Sequence, residues 1–557
     1  MNGAEIQLVS FGQQAQYLSG NPSMTFFKAV YRQYTNFAME DYEIVPDGPG
    51  ELSESSEITL KFTLNKRTAG DLLTHLYLQF DLPDIYSGYN PNVTDSNLEK
   101  SSYRFQWIES LGTNIINYAK MSINGRQVNL LHGSWIRVWH ELFSTVDMKT
   151  FDAMIGNTPD MFSPEHAIGA VGVYPTSTLD PELNSDPELF TSSAYVKNSY
   201  LKPPSILGRT VTVPLSFYFT TSPGLAFPLV SLDSDELQFE IELRPLSQLY
   251  TVVDVDEKST TFGKRVVPDP TIETQNIQNF LANRNRLDFQ NGVSLSSRGI
   301  PYAGWGFRPR FLANFVYLEE DQRAIFAEQA NEYLIEVPQR FEFRGLTGTT
   351  TQELKLLSPS KALIWMAQRD DFENSNIFGN FTNWPNSDIY PGTLGWIRNS
   401  VGENSQIFVN GRPVIVDTAF QAFEQGTIAH KFNFAYYNRY PIRESTIYYN
   451  GKERLSTKRT DYFNYLQPYQ HKIVHSVPGV NLYSFALEPS RFQPTGHSDM
   501  SEINKIELRT TMTDVPVVED VHTGNIDYQY KYNLIVYTIG TNILRVFGGQ
   551  ANIVFQQ

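Results

Sequence analysis

Histidines and carboxylates are the residues to test first for chemistry, because the 557-residue chain contains no cysteine. Disulfides, thiolate catalysis and Cys-based zinc sites are thereby excluded. His140-Glu141 opens like a metalloprotease helix, but no second histidine follows at the spacing that would grip zinc. His471 and His475 lie four apart and can share one face, yet no further ligand is near in sequence, so a structural role is expected. Asp254, Asp256 and Glu257 resemble part of a calcium loop without its glycine and terminal glutamate, and read as a solvated loop. Gly548-Gly549 follows an apolar run and reads as a strand bend, not a phosphate loop. Two sequons, Asn92-Val-Thr94 and Asn380-Phe-Thr382, fall in expected loops and are expected to stay unglycosylated, since Met1-Asn2-Gly3-Ala4-Glu5 does not open a signal peptide. The expectation is therefore no catalytic, cofactor-binding or metal residue, and no cofactor.

The elements available to position side chains are mostly strands. Ile58, Leu60, Phe62 and Leu64 alternate with polar residues, as do Leu76, Leu78, Phe80 and Leu82. Val211, Val213, Leu215, Phe217 and Phe219 repeat the pattern, then Leu237, Phe239, Ile241 and Leu243. A period of two puts one face on a core and the other toward water or a partner. Pro83, Pro223 and Pro245 stand just beyond such runs. Asn124-Gly125, Asn410-Gly411 and Asn450-Gly451 each sit between apolar residues and predict two-residue hairpins, and their placement hints at an internal repeat. Helical spacing is confined to two places: Ser134 to Phe143, and the stretch after Glu319-Glu320-Asp321.

Composition agrees with a large β protein. Aromatics make up 13% of the chain, with 37 Phe and 31 Tyr, and such residues favour pleated surfaces. The net charge of −16 does not release counterions from DNA, so direct nucleic-acid binding is not expected. No run of 18 apolar residues offers a transmembrane span, and Asn2 is not the glycine that myristoylation needs. Polar stretches near Tyr86–Ser102, Gly156–Pro204 and Asp370–Asn404 read as long surface loops. Residues 1–50 are read as an arm and lead-in strand, 51–250 as a first β domain, 251–305 as a linker or long loop, and 306–557 as a second β domain.

Several segments resemble the major capsid proteins of nucleocytoplasmic large double-stranded DNA viruses. Ile6 to Pro22, Thr25-Phe-Phe-Lys28 and Tyr31 to Ala38 are similar to that family's opening. Pro223 to Val230 resembles the segment before the last strand of its first β domain, and Ser358 to Trp365 a strand of its second. Tyr462-Phe463 with Gln467 to His471, Tyr483 to Pro489 continuing to Gly496, and Asn542 to Gly549 follow in family order. The linker and loops look longer than the family's.

The resemblance implies an all-β tandem double jelly roll, two antiparallel eight-stranded β-sandwiches with a few short helices and long surface loops. It implies a homotrimeric, pseudo-hexameric capsomer that tiles an icosahedral shell, and no enzyme activity. Implied partners are neighbouring capsomers, minor capsid proteins and a penton protein, close to an internal viral membrane. The implied location is the virion, with assembly in the host cytoplasm or nucleus. The alternative is a carbohydrate-binding or carbohydrate-degrading β-sandwich protein, its loops and seven Trp stacking on sugars.

Overall fold

A computed structural model describes residues 2–555 apart from 66–68, 87–102, 255–264, 282–304, 384–405, 416–438, 515–517 and 520–525, most of 165–203, and a few single or paired positions. In the first half the strands are Phe37–Ile44 (β1), Ile58–Leu64 (β2), Leu72–Asp81 (β3), Tyr103–Trp107 (β4), Ile116–Ile123 (β5), Arg126–His132 (β6), Thr210–Pro214 (β7), Leu237–Leu243 (β8), Tyr250–Asp254 (β9) and Arg310–Leu318 (β10). In the second they are Asn331–Leu346 (β11), Thr349–Leu354 (β12), Ser360–Arg369 (β13), Ile442–Tyr449 (β14), Lys452–Arg459 (β15), Val480–Ser484 (β16), Ile506–Met512 (β17) and Tyr532–Phe547 (β18). The helices used below are Gly3–Val9 (α1), Gln13–Ser19 (α2), Gly133–Phe143 (α3) and Glu320–Glu328 (α4).

Two sandwiches result. The first stacks a sheet ordered β1-β10-β3-β7 on one ordered β2-β8-β5-β6. The second stacks β11-β18-β13-β16 on β12-β17-β14-β15. All these pairings are antiparallel. Alternation decides which face turns inward. In β2, Ile58, Leu60, Phe62 and Leu64 are buried while Lys61 and Thr63 are exposed. The Phe62 ring meets Phe239 on adjacent β8 at 4.9 Å and Phe311 across the sandwich on β10 at 4.5 Å.

The hairpin expectation holds where it can be followed. Asn124 and Gly125 adopt φ of 49° and 77°, Asn450 and Gly451 φ of 49° and 76°, and each pair closes a two-residue turn. Asn410-Gly411 lies outside the described residues, although its flanking strands Gln406–Val409 and Arg412–Ile415 do pair. The Val211 to Phe219 run is only half a strand. The strand ends at Pro214, with one further bond from Leu215 N to the Leu76 carbonyl at 3.0 Å, and Tyr218 joins Leu215, Phe217 and Phe219 in the core through the 3-10 turn Tyr218–Thr220.

The stretch expected as a linker is partly woven into the first sandwich. β9 pairs with β4, Tyr250 stacks on Phe105 at 4.8 Å, and Phe280 is fully buried. Its buried apolar residues are separated by polar ones at no fixed period, which conceals them from pattern reading. β10, expected in the second half, pairs with β1 and β3 instead. The physical reason is its inward face: Phe311, Ala313 and Phe315 lie in the first core. Pro223 to Val230 stands before β8, with β9 and β10 following later in the first sandwich.

One sheet serves two cores. In β13 all ten residues are buried. Leu363, Trp365 and Ala367 face the core inside the second sandwich. Ala362, Ile364 and Met366 face the other way and join the core that continues into the first sandwich. A near-continuous apolar run is what a strand covered on both faces requires.

Candidate functional site

Residues singled out for chemistry are scattered across the fold. His140 lies on α3, buried, with its ring stacked on Phe151 at 4.2 Å and Nε2 3.1 Å from Ser216 Oγ. Burial, aided by nearby Arg137, pushes its pKa down to about 4. Glu141 is ion-paired with Arg137 one turn earlier. His471 Nδ1 lies 2.9 Å from the carbonyl of Leu487, and His475 is exposed. Asp254 is buried at the end of β9, while Asp256 and Glu257 lie outside the described residues. Among the described residues no three His, Cys, Asp or Glu side chains come together as metal ligands. Gly548 and Gly549, with φ of 62° and 81°, turn β18 back onto Gln550–Ile553, a hairpin rather than a bend within one strand.

Asn92 lies outside the described residues. Asn380 is buried, not displayed on a loop: its side-chain oxygen accepts bonds from Thr382 N at 2.9 Å and Thr382 Oγ1 at 2.7 Å. A glycan on that side chain would have to displace the packing around it.

What the fold does present is surface. α1 and α2 bury no side chain among the described residues. The segment after them exposes Phe26 at 89%, Phe27 at 98% and Tyr31 at 89%. Leaving so many aromatics in water is unfavourable and marks a contact region. A second apolar surface escaped sequence reading. Tyr469, in the short helix Gln467–Gln470, is 84% exposed and Leu487 75% exposed, and the His471–Leu487 bond joins the two segments. Its only sequence signal was that both segments are family-like. The outer face of β2, β8 and β5 is charged and polar: Glu240 is bridged by Lys61 at 3.2 Å and Lys120 at 3.0 Å, and accepts from Tyr118 at 2.9 Å. Among the described residues no helix is long and apolar enough to cross a membrane.

The two sandwiches are joined by side chains rather than by a tether. Trp135 on α3 packs against Tyr537 on β18 with ring centres 5.0 Å apart, and Ser134 Oγ lies 2.7 Å from Tyr537 OH. Asn376 donates to the carbonyls of Ser247 at 2.8 Å and Tyr250 at 3.1 Å. Ala551 N donates to Asp235 at 2.9 Å, and Asn129 to the Glu336 carbonyl at 3.2 Å.

Two antiparallel sandwiches joined on a common core define a double jelly-roll protein. A family model described as large eukaryotic DNA virus major capsid protein matches residues 322–552, and one described as major capsid protein N-terminus matches residues 25–281. The chain belongs to the family of large eukaryotic DNA virus major capsid proteins. It is 25% identical to the major capsid protein of Phaeocystis pouchetii virus and 24% identical to that of Paramecium bursaria Chlorella virus 1, over 100% of both chains in each case. The fold matches a solved structure titled PBCV-1 virus capsid with a TM-score of 0.56, 20% identity and coverage of 96% of this chain and 100% of that one. It also matches the Faustovirus major capsid protein with a TM-score of 0.55, 10% identity and coverage of 96% and 94%. Proteins of this family are structural components of the virion, not enzymes. The carbohydrate-processing alternative has no observation in its favour.

Proposed function

We propose that three copies of this chain close into a trimer whose six similar rolls form a pseudo-hexagonal capsomer, and that these capsomers tile an icosahedral shell. The observation that carries this reading is the pair of like-built sandwiches locked on one core, which makes each chain a rigid two-lobed tile. Closed symmetry then needs only one self-complementary interface per neighbour. In this reading the chain divides after β10, with residues 37–318 forming the first roll and 331–553 the second, because the strand pairings separate there. Residues 1–36 act as an arm. Between residues 6 and 39 the only charges are Lys28 and Arg32, in a chain of net charge −16. That aromatic, cationic arm suits minor capsid proteins or a penton protein beneath the shell, beside an internal membrane that the chain itself does not enter. Nucleic acid is not a direct partner, and assembly takes place in the host cytoplasm or nucleus. Electron microscopy of purified protein tests the core of the proposal. Three-lobed particles with a hexagonal base and a mass of about 190 kDa, three copies of a 63.6 kDa chain, are expected. A monodisperse monomer at assembly concentrations would refute it.

A further inference from the structure

The two rolls repeat each other strand for strand. β6, at the end of the sheet β2-β8-β5-β6, corresponds to β15 at the end of β12-β17-β14-β15, and β1 corresponds in the same way to β11. The hairpins leading into β6 and β15 share one clamp. Asn124 N donates to the Glu236 carbonyl at 3.3 Å, and its side-chain oxygen accepts from Glu236 N at 3.2 Å. Asn450 N donates to the Lys505 carbonyl at 2.8 Å, and its side-chain oxygen accepts from Lys505 N at 2.9 Å. Inside the chain, β6 of the first roll packs against β11 of the second, with Asn129 donating to the Glu336 carbonyl. The corresponding pair, β15 and β1, is bare. Every residue of β1 is exposed except Ile44, and every residue of β15 except Leu455 and Lys458, and these three are half-buried.

The two bare edges carry opposite charge. β1 holds Glu40, Asp41 and Glu43 and no cation. β15 holds Lys452, Arg454, Lys458 and Arg459 against one carboxylate, Glu453, although the whole chain has a net charge of −16. None of these side chains forms a salt bridge with another described residue. Charge on an edge strand discourages indiscriminate pairing, and either sign would serve that purpose. Opposite signs on two edges do more: like edges repel, and only β1 against β15 attracts.

We propose that β1 of one copy docks against β15 of the next, repeating between chains the β6–β11 seam found within each. This rests on the three-copy capsomer reading and names the surface that it uses. Like charge opposes β1–β1 and β15–β15 contacts, which would give two-fold dimers. The head-to-tail contact that remains closes a ring when three chains repeat it. The seam inside the chain is backed by apolar packing, as in Ile364 and Tyr537. The seam between chains is charged, so it responds to salt, whose screening length falls from about 10 Å at 0.1 M to about 3 Å at 1 M.

The test is sedimentation of the full-length protein over a concentration series at about 0.1 M and 1 M salt. Wild-type trimers are expected, loosened by the higher salt. Glu40→Lys with Glu43→Lys, or Lys452→Glu with Arg454→Glu, turns attraction into repulsion at exposed positions. Each pair of reversals should raise the concentration for half-assembly about tenfold. All four substitutions together should bring it back to within about threefold of wild type. Melting followed by circular dichroism identifies any variant that does not fold, and the remaining reversal and the combined variant then decide. Equal trimer stability in wild type and the reversed variants, or weakening that the combined variant does not reverse, would overturn this interface and leave the trimer standing. A wild-type chain that stays monomeric throughout would refute the trimer and the interface together.

Discussion

Acid should loosen the seam between the rolls through His140, and the size of the effect follows from its burial. In the unfolded chain this imidazole has a pKa near 6.5, and in the fold burial and Arg137 hold it down to about 4. The neutral form is therefore favoured by folding. Its stabilising contribution is fully present above pH 6.5 and is lost as pH falls from 6.5 to 4, because only the unfolded chain takes up the proton. Below pH 4 the folded protein protonates as well and the loss stops growing. A shift of this size corresponds to roughly 3 kcal/mol at 1.36 kcal/mol per pKa unit. Asp81 and Glu240 are held below the usual carboxylate range, so they too weaken the fold on acidification, and a single protein cannot separate the contributions. His140→Gln can. Gln cannot take up a proton, while the carboxylates remain in both proteins and cancel. Urea unfolding followed by tryptophan fluorescence, from pH 7.5 to pH 4, should show the variant less stable at neutral pH, with the gap closing by about 3 kcal/mol at the acid end. A gap that stays constant across that range would refute the assignment of a neutral, buried His140.

Three further outcomes follow. Leu363→Ala and Ile364→Ala, adjacent on β13 but facing different cores, should each cost about 2–5 kcal/mol and lower one common unfolding transition in calorimetry; two separate transitions would mean that the rolls are independent. Asp71 accepts from Leu318 N at 2.8 Å and Arg323 at 2.9 Å, tying α4 and the end of β10 to the first roll, so Asp71→Ala should cost about 1–3 kcal/mol in urea titrations while Asp71→Asn costs less. Deleting residues 1–24 should leave trimers intact by light scattering yet stop shell assembly; normal shells from the truncated protein would remove the arm from assembly.

Pattern reading succeeded where one physical requirement acted alone. β2 and β8 each have one wet and one dry face, so alternation is visible in Ile58 to Leu64 and Leu237 to Leu243. Asn124-Gly125 and Asn450-Gly451 were legible because their tight turns need positive φ at both positions. Reading weakened where distant parts decide. β10 looks the same whichever roll owns it, and only its pairing with β1 and β3 assigns it. Asn380-Phe-Thr382 has a sequon's chemistry, but its burial comes from neighbours that sequence spacing does not reveal. A cavity between the rolls was invisible for the same reason, since His140, Tyr218 and Lys361 come to line it only through the packing of two sandwiches. Trp139 and His140 could be placed on a helix, but not on a seam.

That seam explains how a chain without catalytic chemistry can still specify a shell. A lattice of many copies amplifies any angular play within a subunit, so the two rolls must hold one relative orientation. A flexible linker cannot provide this, because fixing it costs entropy and few contacts oppose its motion. Here β13 and β18 send alternate side chains into two cores, Trp365 and Val536 inward and Ile364 and Tyr537 toward the first roll. Rotating one roll against the other would strip apolar surface from both sides of one sheet, at about 25 cal/mol for each Å² exposed. Hydrogen bonds such as Asn376 to Ser247 and Tyr250 fix the angle that apolar packing alone would leave adjustable. The strand pattern that hides β13 from alternation is thus the same feature that makes the subunit rigid.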